Sequence, residues 1–305
     1  MDDQRDLERM LGNLRQFQSE SDASKESEKS PSNAGTSFDA DEFLAGLDAM
    51  FASHTAKDKA DEYLQQAMAD AENAQDYAGL LTVLNETMGF YRSQGRHQEN
   101  QWIIQRAIEL ALRMGLEGTE AWTTTLINAA TSQRAAGNLD QAEDLFEQAL
   151  DAARRTYGPD DRRLAALHNN RSMLFSQTHR RRQAIDELHE SLRILEHSSV
   201  DAQSDVDIAS TCTNLALAML DGEDQPTDAE LEEAQSLARR TLDIYQHAGS
   251  DSSAHYASAL AGAAHVSFAS EDYAEAVRQY QRALDVIARC YGAVSYTHLT
   301  LPTIR

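Results

Sequence analysis

The feature that most constrains this sequence is a pattern of small, bulky and small residues, at spacings of four and three, that returns about every 42 residues. Its four clearest copies are Ala142, Phe146, Ala149; Ala184, Leu188, Ser191; Ala234, Ala238, Thr241; and Ala276, Tyr280, Ala283. Two earlier sets fall close to the same register, namely Asn100, Ile104, Ala107 and Ala60, Leu64, Ala67. A repeat of this length predicts a solenoid of stacked helix pairs.

Each repeat also contains a second apolar set upstream of this pattern, for example around Leu84 and Leu126. We therefore predict that each repeat is a hairpin of a helix A, which carries the upstream set, and a helix B, which carries the small-bulky-small pattern. Gly95 and Gly137 stand in the predicted turns, where a residue with a left-handed backbone ends helix A at little steric cost. The turn at residues 222–227 is predicted to be longer than its counterparts.

Composition excludes several classes of function. The formal net charge of −23 argues against binding to nucleic acid, which needs clustered Lys and Arg, and against binding to anionic membranes. The chain starts without a signal-like apolar run and offers no uncharged apolar segment long enough to cross a bilayer, so we expect a cytoplasmic protein. Cys212 and Cys290 are far apart, so we expect no disulfide framework. The oligomeric state is left open.

The chain divides into four segments. Residues 1–17 could form a short amphipathic helix or a frayed N-terminus, and residues 18–38 are predicted to be a disordered, Ser-rich linker. Residues 39–292 are predicted to hold about six helix pairs. Residues 293–305 break the helical pattern abruptly, and we interpret them as a tail that is not native to the protein.

The repeat resembles the tetratricopeptide repeat, in which helix B carries small, aromatic and small residues at these spacings. The 42-residue length and the segment around Gly158 and Pro159 are similar to the kinesin light chain type. This resemblance implies an all-α fold, a right-handed superhelical solenoid of stacked antiparallel helix pairs. His168 and Arg171 stand where that family prefers apolar residues, so we expect looser packing in the third repeat.

Residues 294–305 look like the in-frame translation of a transposase-based sequencing adapter. On this interpretation the sequence is truncated, and the natural protein continues beyond Gly292 with further repeats or another domain.

Polar residues of helix A are the candidates for binding a peptide in the groove that stacked hairpins form. Asn128 and Asn170 are one period apart, Asn214 follows in nearly the same register, and Asn85 and Asn169 lie one position earlier. A carboxamide can clamp the backbone of an extended peptide, but it can equally brace neighbouring helices. Both interpretations stay open at this point.

Arg92 and Arg134 recur at 42 residues near the end of helix A. They could pair with a carboxylate of a bound peptide, or they could cap the last carbonyls of their own helices. The complete candidate groove consists of Asn85, Arg92, Asn128, Arg134, Asn169, Asn170, Asn214 and His265.

No catalytic, metal-binding or phosphate-loop motif is recognisable in the sequence. We therefore expect no enzyme, no cofactor and no metal, but a scaffold or adaptor that binds a peptide or protein segment. The alternative is a peptide-sensing regulator whose effector domain lies in a missing C-terminal part. A self-associating array is a further alternative.

Overall fold

The computed structural model describes residues 38–52, 56–222 and 225–291, and within these ranges the secondary structure is entirely helical. The predictions for residues 1–17, for the linker before Phe38 and for the tail at 293–305 lie outside the described residues. The helices are α1 (Ala40–Ala52), α2 (Ala56–Asn73), α3 (Tyr77–Ser93), α4 (His97–Arg113), α5 (Glu120–Ala135), α6 (Leu139–Tyr157), α7 (Arg162–Gln177), α8 (Arg181–Ser198), α9 (Val206–Leu220), α10 (Asp228–His247), α11 (Ala254–Ala269) and α12 (Tyr273–Tyr291).

The small-bulky-small pattern lies on the even-numbered helices, and its residues are buried in the core except for Tyr280, which is 39% exposed. Ala142, Phe146 and Ala149 of α6 are all fully buried, as are Ala184 and Ser191 of α8. Small side chains allow close approach between helices, while the bulky residue one turn later fills the remaining space. The odd-numbered helices are therefore the A helices and the even-numbered helices are the B helices.

The chain forms two compact units, Met1–Thr156 and Tyr157–Arg305. In the first unit, α3 packs against α4 of its own pair and against α1 and α5, the A helices on either side. The antiparallel pairing of α5 with α6 is visible at both ends: Asn138 donates to Gln133 over 2.8 Å, and Thr156 donates to the carbonyl of Gly118 over 3.0 Å. In the second unit, α9 occupies the equivalent central place between α7 and α11.

The turns from helix A to helix B after α3, α5, α7 and α11 share one backbone geometry. Gly95 and Gly137 have φ values of +68° and +84°, as their place in the sequence predicts. The equivalent turns after α7 and α11 place His179 and Glu271 in the same left-handed region, at φ +56° and +61°. In each turn the next residue donates its N–H five positions back, for example from Arg180 to the carbonyl of Phe175.

The longer turn after α9 ends in a complete capping box. Thr227 accepts from the N–H of Glu230, and the Glu230 carboxylate accepts from the N–H of Thr227 over 2.8 Å. This reciprocal arrangement satisfies two N–H groups that would otherwise lack partners at the start of α10.

His168 and Arg171, which the sequence suggested would loosen the third repeat, both face Glu187 of α8. The Glu187 carboxylate lies 2.6 Å from Nδ1 of His168 and 2.9 Å from Nη1 of Arg171. All three side chains are at most 15% exposed. A buried polar group is tolerated when it has such partners, so α7 and α8 pack through an ionic cluster at this point.

Among the described residues, no helix is both long enough and apolar enough to span a membrane.

Candidate functional site

The polar residues predicted to line the groove all lie on A helices. We call the surface that these helices present within each unit the A-helix surface. In the first unit it carries Asn85 and Arg92 on α3, and Asn128 and Arg134 on α5. In the second unit it carries Asn169 and Asn170 on α7, Asn214 on α9 and His265 on α11.

Asn85 joins α3 to α5. Its Nδ2 donates to the carbonyl of Leu81 over 3.0 Å and to Oγ1 of Thr125 over 3.1 Å. Its Oδ1 accepts from Nδ2 of Asn128 over 3.1 Å. The amide hydrogens of Asn85 are thus used within the fold, and the side chain fixes one A helix against the next.

The second unit repeats this arrangement. Asn169 of α7 donates to Thr211 of α9 over 2.8 Å and accepts from Asn214 of α9 over 3.2 Å. It also donates to Ser191 of α8 over 2.7 Å. Asn85 and Asn169 therefore have equivalent partners, a Thr and an Asn that stand three residues apart on the following A helix.

The other three asparagines of the A helices have hydrogen-bonding groups that no described residue uses. Asn128 and Asn214 each donate to an asparagine of the preceding A helix, Asn85 and Asn169 respectively. The Oδ1 atoms of Asn128 and Asn214 have no hydrogen-bond partner in the described part of the chain. Asn170 is half-buried and its amide makes no hydrogen bond to any described residue. These side chains retain acceptors, and in Asn170 also donors, that could bind a peptide backbone.

Arg92 and Arg134 lie in the last turns of α3 and α5, which pack against each other. Nη1 of Arg92 and Nε of Arg134 are both buried and have no hydrogen-bond partner among the described residues. Burial lowers the pKa of Arg92. The pKa of Arg134 is lowered by burial and also by the nearby charge of Arg92.

His265 lies half-buried on α11, and no hydrogen bond joins its ring to another described residue. It shares the A-helix surface with Thr213 and Leu217 of α9, which closely approach Gly262 one turn before it.

An open cleft of about 330 Å³ lies between α3 and α5 in the first unit. Thr82, Asn85 and Thr124 supply polar groups to its wall. Glu86 also lines the cleft, and its pKa is raised by burial and by the charge of Asp48 on α1. The apolar part of the lining is Ala78, Leu81, Met114, Leu116 and Ala121.

Sequence reasoning missed Thr125 and Thr211, which accept the asparagine hydrogen bonds. Both precede an asparagine by three residues on an A helix, so the spacing from Thr125 to Asn128 and from Thr211 to Asn214 was a usable signal. No cluster of three or more potential metal ligands occurs in the residues that the structure describes.

Comparison with protein families gives a match to part of the repeat array. A tetratricopeptide repeat family model matches residues 121–197, which cover helices α5 to α8 except for Glu120 and Ser198 at the ends. No curated protein matches the chain.

Solved structures agree with this assignment. The crystal structure of BtubC (BKLC) from P. vanneervenii has a TM-score of 0.60 at 18% identity, with 83% of this chain and 92% of that chain covered. A crystal structure of nearly identical repeats, similar to the tetratricopeptide repeat, from a putative kinesin light chain of Podosopora anserina has a TM-score of 0.56 at 14% identity. That match covers 69% of this chain and 96% of the other. These likenesses confirm the predicted all-α fold of stacked helix pairs.

Proposed function

We propose, on the premise of this tetratricopeptide repeat fold, that the chain is a non-enzymatic cytoplasmic scaffold that binds a peptide or protein segment along its A-helix surface. The observation that carries the proposal is the unused hydrogen-bonding capacity of Asn128, Asn170 and Asn214 on that surface. Repeated carboxamides suit an extended peptide, whose backbone offers donors and acceptors regardless of sequence.

Within this proposal the candidate residues have two roles. Asn85 and Asn169 position the next A helix and its asparagine. In the first unit Asn128 contacts a ligand backbone. In the second unit Asn170 and Asn214 do so, and His265 adds a polar contact on α11. Arg92 and Arg134 select a negatively charged group, because their buried donors have no partner among the described residues.

The charges of the first unit also suggest a polarity for the ligand. Glu86 and Asp48 make one end of the surface acidic, whereas Arg92 makes the other end basic. Six residues of helix separate Glu86 from Arg92, a rise of about 9 Å. An extended peptide covers that distance in about three residues. We therefore expect ligands with a basic residue about three positions from a negative group.

Selection from a displayed library of short peptides tests the proposal. Enriched peptides should lose about tenfold in affinity for the Asn128→Ala plus Asn170→Ala variant, since each lost hydrogen bond contributes about 0.5–1.5 kcal/mol. Gln105→Ala, on the exposed face of the B helix α4, is the matched control and should leave binding unchanged. Unchanged binding to a double variant that remains folded would refute the clamp.

A further inference from the structure

The Arg92 and Arg134 side chains lie near each other, and no residue that the structure describes supplies a counter-charge to them. Both belong to adjacent, packed A helices and both have a buried nitrogen without a partner in the described residues. Neither side chain donates to the terminal carbonyls of α3 or α5 in the described structure, so helix capping does not account for them. The other arginines of this part of the unit differ: Arg96 is paired with Asp61, and Arg106 is paired with Glu72.

The lack of a described carboxylate beside this pair is unexpected in so acidic a protein. The chain contains 50 Asp and Glu residues against 27 Lys and Arg residues, so a partner for each arginine is easily supplied. Two partly buried guanidinium groups that repel each other carry an energetic cost that an external anion would offset. The lowered pKa values of both side chains have this cause, burial without a counter-charge.

There is also space for an anion beside Arg92. A Cβ atom placed on Gly89, one turn earlier on α3, would lie within 4 Å of a single group, Nη2 of Arg92 at 3.9 Å. The surface over Gly89 is therefore open and is bordered by the guanidinium group.

We propose that Arg92 and Arg134 bind a tetrahedral dianion, a phosphate group, and that the proposed peptide ligand is recognised in its phosphorylated form. This inference rests on the proposed function of the A-helix surface. A phosphate monoester carries a charge of about −1.5 to −2 at neutral pH and three acceptor oxygens, which matches two guanidinium groups. One carboxylate would neutralise only half of their charge, and its two oxygens can be satisfied by a single arginine.

Calorimetric titration of the full chain with inorganic phosphate tests the site without any peptide. We expect saturable binding that is weakened at least about tenfold in Arg92→Gln and in Arg134→Gln, because each removes a charge-assisted contact. Arg155→Gln, which removes an exposed arginine of α6 in the same unit, should bind as the wild type does. Sulfate should bind comparably to phosphate, and acetate at least about tenfold more weakly.

Gly89→Leu provides a variant that keeps both arginines. Leucine is a good helix former, so the variant should fold, as circular dichroism would verify, but its side chain would fill the open surface. We expect it to lose phosphate binding. Equal affinity for acetate and phosphate, or phosphate binding unaffected by Arg92→Gln, Arg134→Gln and Gly89→Leu, would overturn the assignment.

The source of the phosphate is decided by a second titration with a blocked Gly-Gly-phosphoserine-Gly-Gly peptide. Tighter binding than inorganic phosphate indicates a phosphorylated segment, as proposed, and weaker binding overturns that part in favour of a small phosphorylated ligand. If phosphate fails to bind while library peptides still depend on Asn128 and Asn170, the phosphate site is wrong and the peptide groove stands. If phosphate binds while library peptides do not depend on Asn128 and Asn170, the phosphate site stands and the peptide groove is refuted.

Discussion

Asn169 shows how much a single side chain can contribute to a stack of helix pairs. It lies on α7, donates to Ser191 of α8 and to Thr211 of α9, and accepts from Asn214. Ser191 and Thr211 are fully buried, so water cannot easily replace the lost amide. The same residue type next to it, Asn170, makes no hydrogen bond within the described residues. These neighbouring asparagines therefore separate a structural role, that of Asn169, from the role in binding that we propose for Asn170.

We expect Asn169→Ala to lower the free energy of unfolding by about 2 kcal/mol, because the buried hydroxyl groups of Ser191 and Thr211 each lose a hydrogen bond. Asn170→Ala should change the free energy of unfolding by less than about 0.5 kcal/mol. Urea unfolding followed by circular dichroism measures both values. Equal losses in the two variants would contradict the role assigned to Asn169.

The hydrogen bonds of Asp205 predict that the free energy of unfolding falls at low pH. Its carboxylate accepts two bonds from Arg162 at 2.6 Å, and these bonds, together with one from Ser199, hold its pKa at about 2. A carboxyl group whose folded pKa is lowered stabilises the fold above its ordinary pKa of 3.8, and this contribution is lost as the pH falls towards 2. The loss is at most about 2 kcal/mol, since Arg162 is partly exposed to solvent.

The comparison with Asp205→Asn checks this assignment. At pH 6 the variant should be less stable than the wild type. The difference should shrink between about pH 4 and pH 2, where Asp205 is protonated in the unfolded wild-type chain but still largely ionised in the folded one. Urea midpoints at several pH values provide the measurement. A difference that stays constant over this range would show that the Asp205 charge does not contribute.

At the scale of the helix pair, the residue with positive φ in the turn sets the conformational energy of the connection from helix A to helix B. Gly95 and Gly137 adopt positive φ without steric cost, whereas His179 and Glu271 hold the same conformation with a Cβ atom. A left-handed backbone costs a residue other than glycine about 1–2 kcal/mol, and part of that is offset by the greater flexibility of glycine in the unfolded chain.

His179→Gly should therefore raise the free energy of unfolding by about 0.5–1 kcal/mol. The matched control is His189→Gly, an exposed position inside α8, where glycine should lower stability by a similar amount. Thermal unfolding of the two variants shows whether each substitution raises or lowers the stability. Destabilisation by both substitutions would mean that the His179 side chain makes a contribution larger than its backbone strain.

The sequence predicted these pairs well because their signal is local and repeated. The 42-residue period placed the turns at Gly95 and Gly137 and placed the candidate groove residues on A helices. It could not show that Asn85 is bound to Asn128, because register defines a face of a helix but not the direction of an amide. Nor could it foresee Glu187 as the partner of His168, since that contact joins two helices through side-chain geometry.

For the whole molecule, charge is the dominant property. A net charge of −23 creates repulsion that the unfolded chain relieves by expanding. Raising NaCl from about 0.05 M to about 0.5 M shortens the Debye length to a few ångströms and should raise the unfolding midpoint. The exposed ion pairs weakened by the same salt contribute little individually, so they should not reverse the effect.

Differential scanning calorimetry of the wild type and of Arg92→Gln provides the measurement. A similar rise of the unfolding midpoint in both proteins indicates general screening of charge. A rise confined to the wild type would indicate chloride bound at the arginine pair. A fall in the wild-type midpoint would mean that favourable charge pairs outweigh the net repulsion.

The bonds from Asn85 to Asn128 and from Asn169 to Asn214 have a consequence for how such a chain avoids misfolding. Repeats with similar apolar faces can stack one helical turn out of place, or on the wrong neighbour, with little loss of buried hydrocarbon. An amide pair is less tolerant, because a displaced stack leaves the half-buried carboxamide of Asn85 or Asn169 without its partners on the next A helix. Each asparagine pair thus makes incorrect stacking less stable than correct stacking while the array assembles.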